Sequence, residues 1–256
     1  MSLSNGKRLA EVLLTPVILL AVWEGLVRAK LIDAIYLPPP SQVSVGFYGL
    51  VVSGELWTHI RASMTRVLGG YLIAACLGIG FGLLLGWFRD VAAFFDPLIE
   101  LFRPISAIAI IPLAILWFGI GETSKIFLIM YGSFFPILLN TVAGVRSTDL
   151  VFIRAARTLG AGRARILRTI VIPSAMPFIY TGLRVSMGIA MIVIISSEMV
   201  AADNGLGWFI LDSERVYKTD LMIGGIITIS MISLAIDFSL RKLRGLLFPW
   251  WRETGG

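Results

Sequence analysis

Long unbroken apolar runs dominate this chain, and strict apolar–polar alternation is absent. A membrane-crossing helix needs about 20 apolar residues, because the hydrocarbon core is about 30 Å thick and a helix rises 1.5 Å per residue. Six runs approach that requirement. They cover residues 9–27, 68–88, 105–120, 126–145, 178–202 and 221–240. The second and fourth contain no charge at all. The third is short and holds Pro112. The pattern predicts an all-α integral membrane protein with six transmembrane helices, forming one domain over 1–256.

Composition agrees. Apolar residues make up 57% and charged residues 15%, against about 25% charged in soluble domains. Mean hydropathy is +0.87. The net charge of +6 would suggest nucleic acid in a soluble protein, but no polar domain is present to carry such binding. Topology explains the charge better, because Lys and Arg collect on the cytoplasmic side. With the N-terminus inside, the inner segments hold fourteen basic residues and the outer segments seven. Both termini are therefore expected in the cytoplasm of a multi-pass protein. The N-terminal Lys7, Arg8 and following apolar run resemble a signal peptide, yet no clean small-residue cleavage site follows. That run is read as a retained first span.

Little in the chain suggests catalysis. The single cysteine, Cys76, and the single histidine, His59, build neither a disulfide nor a metal cluster, and Cys76 is read as a small packing residue. The glycines of GIGFG lie in an apolar span without a following Lys-Ser/Thr, so no phosphate-binding loop is visible. No nucleophile, base and acid set can be drawn. No catalytic residue, metal or cofactor is expected in this chain. Passage of a solute across the membrane, or a scaffold for another protein, remains.

Some polar and small residues stand out. Ala74, Gly78, Gly82 and Gly86 recur four apart in the second run, which predicts a helix-packing face. Gly188, Gly224 and Gly225 suggest further tight crossings. Pro112 and Pro136 predict bends beside a pathway or simple packing kinks. Glu198, in ISSEMVAA, is a charge in an apolar run, and such charges are paired or functional. A gating or inter-helix contact is expected there, while Glu24 and Asp237 lie near span ends. After the first span, YLPPPSQV predicts a stiff extended piece, followed by an interfacial helix carrying Trp57. In DNGLGWFI, Gly205 and Gly207 predict a tight turn.

The stretch RAARTLGAGRARILRTIVIPSAMP, residues 154–177, is the polar centre of the chain. It carries five arginines and no acid. A helix capped by Thr148 or Asp149 is expected to stop near Gly160, with a second short helix leading to Pro173. This compact knob suits docking to a cytoplasmic protein. It equally suits anchoring to anionic lipid headgroups through Arg146, Arg154, Arg157, Arg163, Arg165 and Arg168.

This segment resembles the cytoplasmic coupling loop in permease subunits of bacterial binding-protein-dependent ABC importers. The family pattern is Glu-Ala-Ala, three residues, Gly, nine residues, Ile, one residue, Leu, Pro. Ala155, Ala156, Gly160, Ile170, Ile172 and Pro173 occupy those places. Arg154 stands where the family has Glu, so an acid-dependent contact is not assumed, and Ile172 replaces Leu. Arg-Ala-Ala resembles the nitrate, sulfonate and taurine branch. So do LPPPSQV, ELFRPI, WFGIGETSK and AADNGLGWFI, and the similarity covers nearly the whole chain. The resemblance implies the type I (MetI-like) fold, with the coupling loop over about 146–173. It implies a homodimer, two cytoplasmic ATP-binding subunits holding ATP and Mg2+, and an extracytoplasmic substrate-binding protein, all in the bacterial inner membrane. ATP hydrolysis would belong to the partner. The implied cargo is a small anion, an organosulfonate such as taurine, or nitrate or bicarbonate. Related systems carry aromatic carboxylates and pyrimidine vitamin precursors. A stand-alone channel or secondary transporter would need no knob, and a scaffold would bind an ATPase without flux.

Overall fold

The computed structural model describes residues 3–247, and side chains over 14–244. Helix α1 (Leu3–Arg28) leads through a short connection to α2 (Pro40–Ser53). Pro39 is extended, at φ −65° and ψ 147°, and Pro40 opens α2, where a proline's missing N–H costs nothing. Then come α3 (Glu55–Trp87), α4 (Arg89–Phe102), α5 (Ile111–Phe118) and α6 (Glu122–Arg146). Next are α7 (Leu150–Thr158), α8 (Arg163–Ile166), a π-helical turn (Leu167–Val171) and α9 (Ile172–Ala201). Helices α10 (Leu206–Arg215) and α11 (Thr219–Leu247) end the described chain.

Four helices among the described residues are long and apolar enough to cross a membrane: Glu55–Trp87, Glu122–Arg146, Arg163–Ala201 and Thr219–Arg244. Helix α1 has 26 residues, also enough length to cross. The expected third span differs. Residues 105–120 do not form one continuous helix; turns lead into the eight-residue α5. Pro112 lies in the first turn of α5, so it begins a helix and bends none.

Two elements are longer than expected. Helix α3 starts at Glu55, well before Leu68, and takes Trp57 into its first turn. Its 33 residues measure about 50 Å, so its first turns extend beyond a hydrocarbon core of about 30 Å. Helix α9 is continuous with α8, a 39-residue run. Pro173 does not stop it. Proline lacks an N–H and its ring crowds the carbonyl four residues back. The π turn just before it widens the backbone there, with the Ile172 N–H donating to the Leu167 carbonyl. A π bulge is a common way of accommodating such an interruption.

The core lies between α3, α6 and α9. Val67, Tyr71 and Ala74 meet Leu128, Ile129 and Ile137, and these meet Ala190, Val193 and Ile194. The small-residue face of α3 sets the α3–α6 distance. A Cβ on Gly78 would lie 2.9 Å from the Ile137 Cβ, and one on Gly82 would lie 2.5 Å from the Thr141 Cβ. One on Gly86 would lie 2.5 Å from the Val145 Cβ. Ala74 is fully buried, and Gly70 extends the face one turn earlier, against Ile126 and Ile129. On the other side, Gly144 admits Ala175 and Phe178, and Gly182 admits Pro136 and Asn140. Gly188 faces open space, whereas Gly225 touches Ile210 and Phe209. Cys76 is exposed on α3 instead of packing inside.

This geometry makes a paired prediction. Gly82→Ala is expected to destabilise the protein by about 1–3 kcal/mol, the usual range for overpacking. Gly80→Ala, with nothing within 4 Å of its added Cβ, is expected to be neutral or to stabilise by up to about 1 kcal/mol through helix propensity. Thermal unfolding of the two variants in detergent measures the contrast.

Candidate functional site

Two polar regions occupy opposite ends of the same three helices. The first is the loop from α6 to α9. Asp149 caps α7, its carboxylate accepting from the Val151 N–H at 2.8 Å. At the other end the Ala161 N–H donates to the Ala156 carbonyl and the Gly160 N–H to the Arg157 carbonyl. That pair of bonds is the Schellman termination, which places the residue after the cap in the left-handed region. Gly160 sits there at φ +81°. The spacing Ala156, three residues, Gly160 is thus the spacing from the third-last residue of a helix to its left-handed stop.

The loop is amphipathic in three dimensions. Ile153, Ala156, Ala161, Leu167 and Ile170 pack against buried Val145, Ile166 and Val171. Arg154, Ala155, Gly160 and Pro173 are exposed, and Ile172 is half-buried at the start of α9. Leu150, Val151, Phe152 and Leu159 are also exposed, Leu159 at 87%. The motif positions divide: Ala156 and Ile170 hold the knob to the bundle, while Arg154, Ala155 and Gly160 face outward. The second half of the loop is the end of the long α8–α9 helix, not a separate short helix.

The second region surrounds Glu198, fully buried near the end of α9. Its carboxylate accepts from the Ser63 hydroxyl at 2.8 Å, from Arg66 Nη1 at 2.8 Å and from the Gly207 N–H at 2.9 Å. Arg66 also donates to both Glu122 carboxylate oxygens at 2.6 Å and to the Asn204 carbonyl at 2.9 Å. Lys125, buried as well, stands 4.0 Å from Glu122 and donates to the Gly121 carbonyl. Two cations thus face two carboxylates.

One face of α3 organises this region. His59, Ser63 and Arg66 are spaced by four and three, so they stack along one side of the helix. His59 Nδ1 accepts the Gly205 N–H at 3.2 Å, and Ser63 Oγ accepts the Leu206 N–H at 2.8 Å. The loop from α9 to α10 is sewn to α3 through its backbone. Only glycine suits position 205: its φ is +113°, and a Cβ there would lie 2.4 Å from the Glu198 carboxyl carbon. Gly207 is inside α10, not in a turn, and Phe209 is buried while His59 stacks on Trp208 at 5.4 Å. Among the described residues, no group of three His, Cys, Asp or Glu could hold a metal ion.

By sequence Arg66 is one of the outer-loop charges, whereas in the fold it is the centre of this network. Its place two residues before an uncharged run was the available signal. Asp237, expected at a span end, joins α11 to α9 by accepting from Arg184 Nε at 2.6 Å, and also pairs with Arg241. Glu24 accepts from both the N–H and hydroxyl of Ser41 and from Arg28.

A recess of about 440 Å3 opens where the third apolar run breaks. Pro136, Gly132, Ser106 and Arg103 are among its walls. Pro136 has no N–H to donate to the Gly132 carbonyl four residues back, and both residues line this recess.

Comparison with known proteins places the whole arrangement. Residues 57–253 match the family described as binding-protein-dependent transport system inner membrane component. The chain belongs to that family. The taurine transport system permease protein TauC of Escherichia coli (strain K12) is 38% identical, across 94% of this permease and 89% of TauC. A Bacillus subtilis (strain 168) protein named as an aliphatic sulfonates transport permease, SsuC, is 33% identical across 95% of this chain and 88% of its own. An inward-facing structure of the MetNI methionine ABC transporter superposes with a TM-score of 0.63 at 18% identity, covering 77% of this chain and 95% of that one. That likeness is one of fold. The permease is the membrane-embedded translocation subunit of an ATP-driven importer, and its family is one of transport components.

Proposed function

We propose that this permease carries a small organosulfonate such as taurine, and that residues 146–173 couple it to a cytoplasmic ATPase. The observation that carries the coupling is the α7 corner: an outward-facing Arg154–Ala155 and an exposed Leu159, held rigid by the Schellman turn at Gly160. A rigid, partly apolar projection transmits force from a partner better than a loose loop does. The names of the two relatives above support the sulfonate substrate, since both are similar over nearly their full lengths.

The assembly contains two copies of this chain, two ATP-binding subunits that hold ATP and Mg2+, and an extracytoplasmic binding protein. This chain itself holds no cofactor. Both termini lie in the cytoplasm, in agreement with the distribution of Lys and Arg. Closure of the ATPases moves the α7 corners, and the long α8–α9 helix carries that motion into the bundle. The Glu198 centre, at the far end of the same helix, holds the outer loop while this happens.

The test is reconstitution of the permease in proteoliposomes with a cytoplasmic ATPase and a substrate-binding protein that copurify with it. Uptake of radiolabelled taurine is expected only with ATP inside and binding protein outside. Flux without ATP would instead indicate a channel or secondary transporter. ATPase binding without any flux would indicate a scaffold. Binding of an aromatic carboxylate or a pyrimidine by the binding protein, and not of taurine, would overturn the substrate.

A further inference from the structure

A second recess, of about 770 Å3, lies where α3 and α6 end and α4 and α7 begin. Arg89, Arg146, Arg154, Arg157 and Arg163 line it, and Asp90 is the acid among its lining residues. Five cations against one anion leave four positive charges around one space. Among the described residues none of these five arginines forms an ion pair. Such a field concentrates anions.

An independent observation points the same way. Thr148 also lines this recess, is only 5% exposed, and its Oγ1 is buried without a hydrogen-bond partner. Buried polar atoms of native proteins are nearly always satisfied. A hydroxyl left open beside clustered guanidinium groups suits a ligand that accepts several hydrogen bonds. Guanidinium forks match the oxygens of phosphate.

The depth of the recess names the source. Trp87 and Arg146 end two apolar spans here, so the recess opens at the headgroup level, where tryptophan also concentrates. Helix α4 starts at the recess with Arg89 and Asp90, then exposes Phe94, Leu98 and Leu101. Those positions are four and three apart and form one apolar face. Such a helix lies in the interfacial plane beside acyl chains.

We propose that this recess binds the phosphate of an anionic phospholipid, with Thr148 and the arginines on the headgroup and α4 along the acyl chains. Leu150, Ile153, Arg154 and Arg157 of the recess lining lie on α7, so the site shares that helix with the docking corner, and the variants below change Arg89 and Arg146, which lie outside α7. The test uses the full-length chain, purified and placed in phosphatidylcholine bicelles with or without phosphatidylglycerol. Phosphatidylglycerol retained per chain is counted by native mass spectrometry, and unfolding is followed in parallel. Wild type is expected to retain phosphatidylglycerol over phosphatidylcholine. Arg89→Gln/Arg146→Gln is expected to lower that preference about thirtyfold, from roughly tenfold per 1.4 kcal/mol and about 1 kcal/mol per basic residue. Thr148→Val, which keeps shape, is expected to lower it less while unfolding at the wild-type temperature in phosphatidylcholine.

Equal retention of the two lipids by wild type overturns the proposal, as does unchanged preference in the double variant. Inorganic phosphate shifting wild-type unfolding without lipid, and not that of the double variant, keeps the phosphate site and assigns it to free phosphate. If the double variant instead loses ATPase binding in phosphatidylcholine alone, with no change in lipid preference, the surface belongs to the ATPase and the lipid site is refuted.

Discussion

Arg66→Ala is expected to destabilise the permease by about 3–5 kcal/mol, the usual cost of removing one partner from a buried ion pair. Its side chain is 3% exposed and that of Glu198 is 0% exposed. Removing the guanidinium leaves the buried Glu198 carboxyl without its cation, so it must stay desolvated and unpaired or take up a proton, and either costs stability. The remaining donors, Ser63 and the Gly207 N–H, carry no full positive charge. Lysine is a poor replacement, since Arg66 spans Glu122, Glu198 and Asn204 through a planar fork, and a single ammonium has no such geometry. Glu198→Gln is expected to cost less, because Arg66 keeps its two bonds to Glu122.

The pair decides whether charge or packing is responsible. In Arg66→Ala/Glu198→Gln the buried charge is gone, so the double variant is expected to be more stable than Arg66→Ala alone. Thermal unfolding of the four proteins closes the cycle, and contacting residues usually couple by about 0.5–3 kcal/mol. A loss below about 1 kcal/mol in Arg66→Ala would remove the ionic centre from any account of stability. Hydrogen exchange gives a local reading. The Gly205, Leu206 and Gly207 amides donate to His59, Ser63 and Glu198. Their exchange is expected to accelerate in Arg66→Ala before that of the α3–α6 core.

The reason Arg66 escaped sequence reasoning is physical. Apolar runs expose spans because hydrocarbon demands them locally, residue after residue. The runs around 68–88 and 126–145 therefore marked the middles of α3 and α6, and the four-residue repeat from Ala74 to Gly86 marked the side they share. Nothing local marks a partner 132 residues away. The extension of α3 back to Glu55 was hidden for a related reason: beyond the hydrocarbon, Glu55, Arg61 and Arg66 are tolerated, and the apolar signal ends while the helix continues. Gly205 and Gly207 looked alike as turn formers. Only one has a left-handed φ, while the other admits the Ile195 carbonyl, where a Cβ would lie 2.4 Å away. A second helix leading to Pro173 is legible in the sequence, but the π turn that carries the helix on through the proline has no sequence signature. The α7 corner was legible through its motif, yet the reason for the spacing came from the two backbone bonds that end the helix.

Gly160→Val is expected to leave insertion and folding intact while transport and stimulated ATPase activity fall together, by about five- to thirtyfold. The size follows from the roughly 1–2 kcal/mol that a side chain costs in the left-handed region, and a β-branched residue is a genuine outlier there. Space is not the cause, since a Cβ at position 160 meets nothing within 4 Å. The conformational origin predicts an order. Asparagine, which tolerates the left-handed region, should retain most activity, alanine less and valine least. A docking surface that merely disliked bulk would rank alanine above asparagine. Membrane yield and unfolding temperature are expected to stay near wild type, because the corner is exposed and the packing of Ile153 and Ala156 on Val145, Ile166 and Val171 lies on its other side. Normal stimulated ATPase in the Gly160→Val complex would place coupling elsewhere. Loss of stimulation with ATPase binding retained would mean that the partner still docks but its motion no longer reaches α8 and α9. The Schellman turn would then be the rigid joint through which ATP-driven movement enters the membrane.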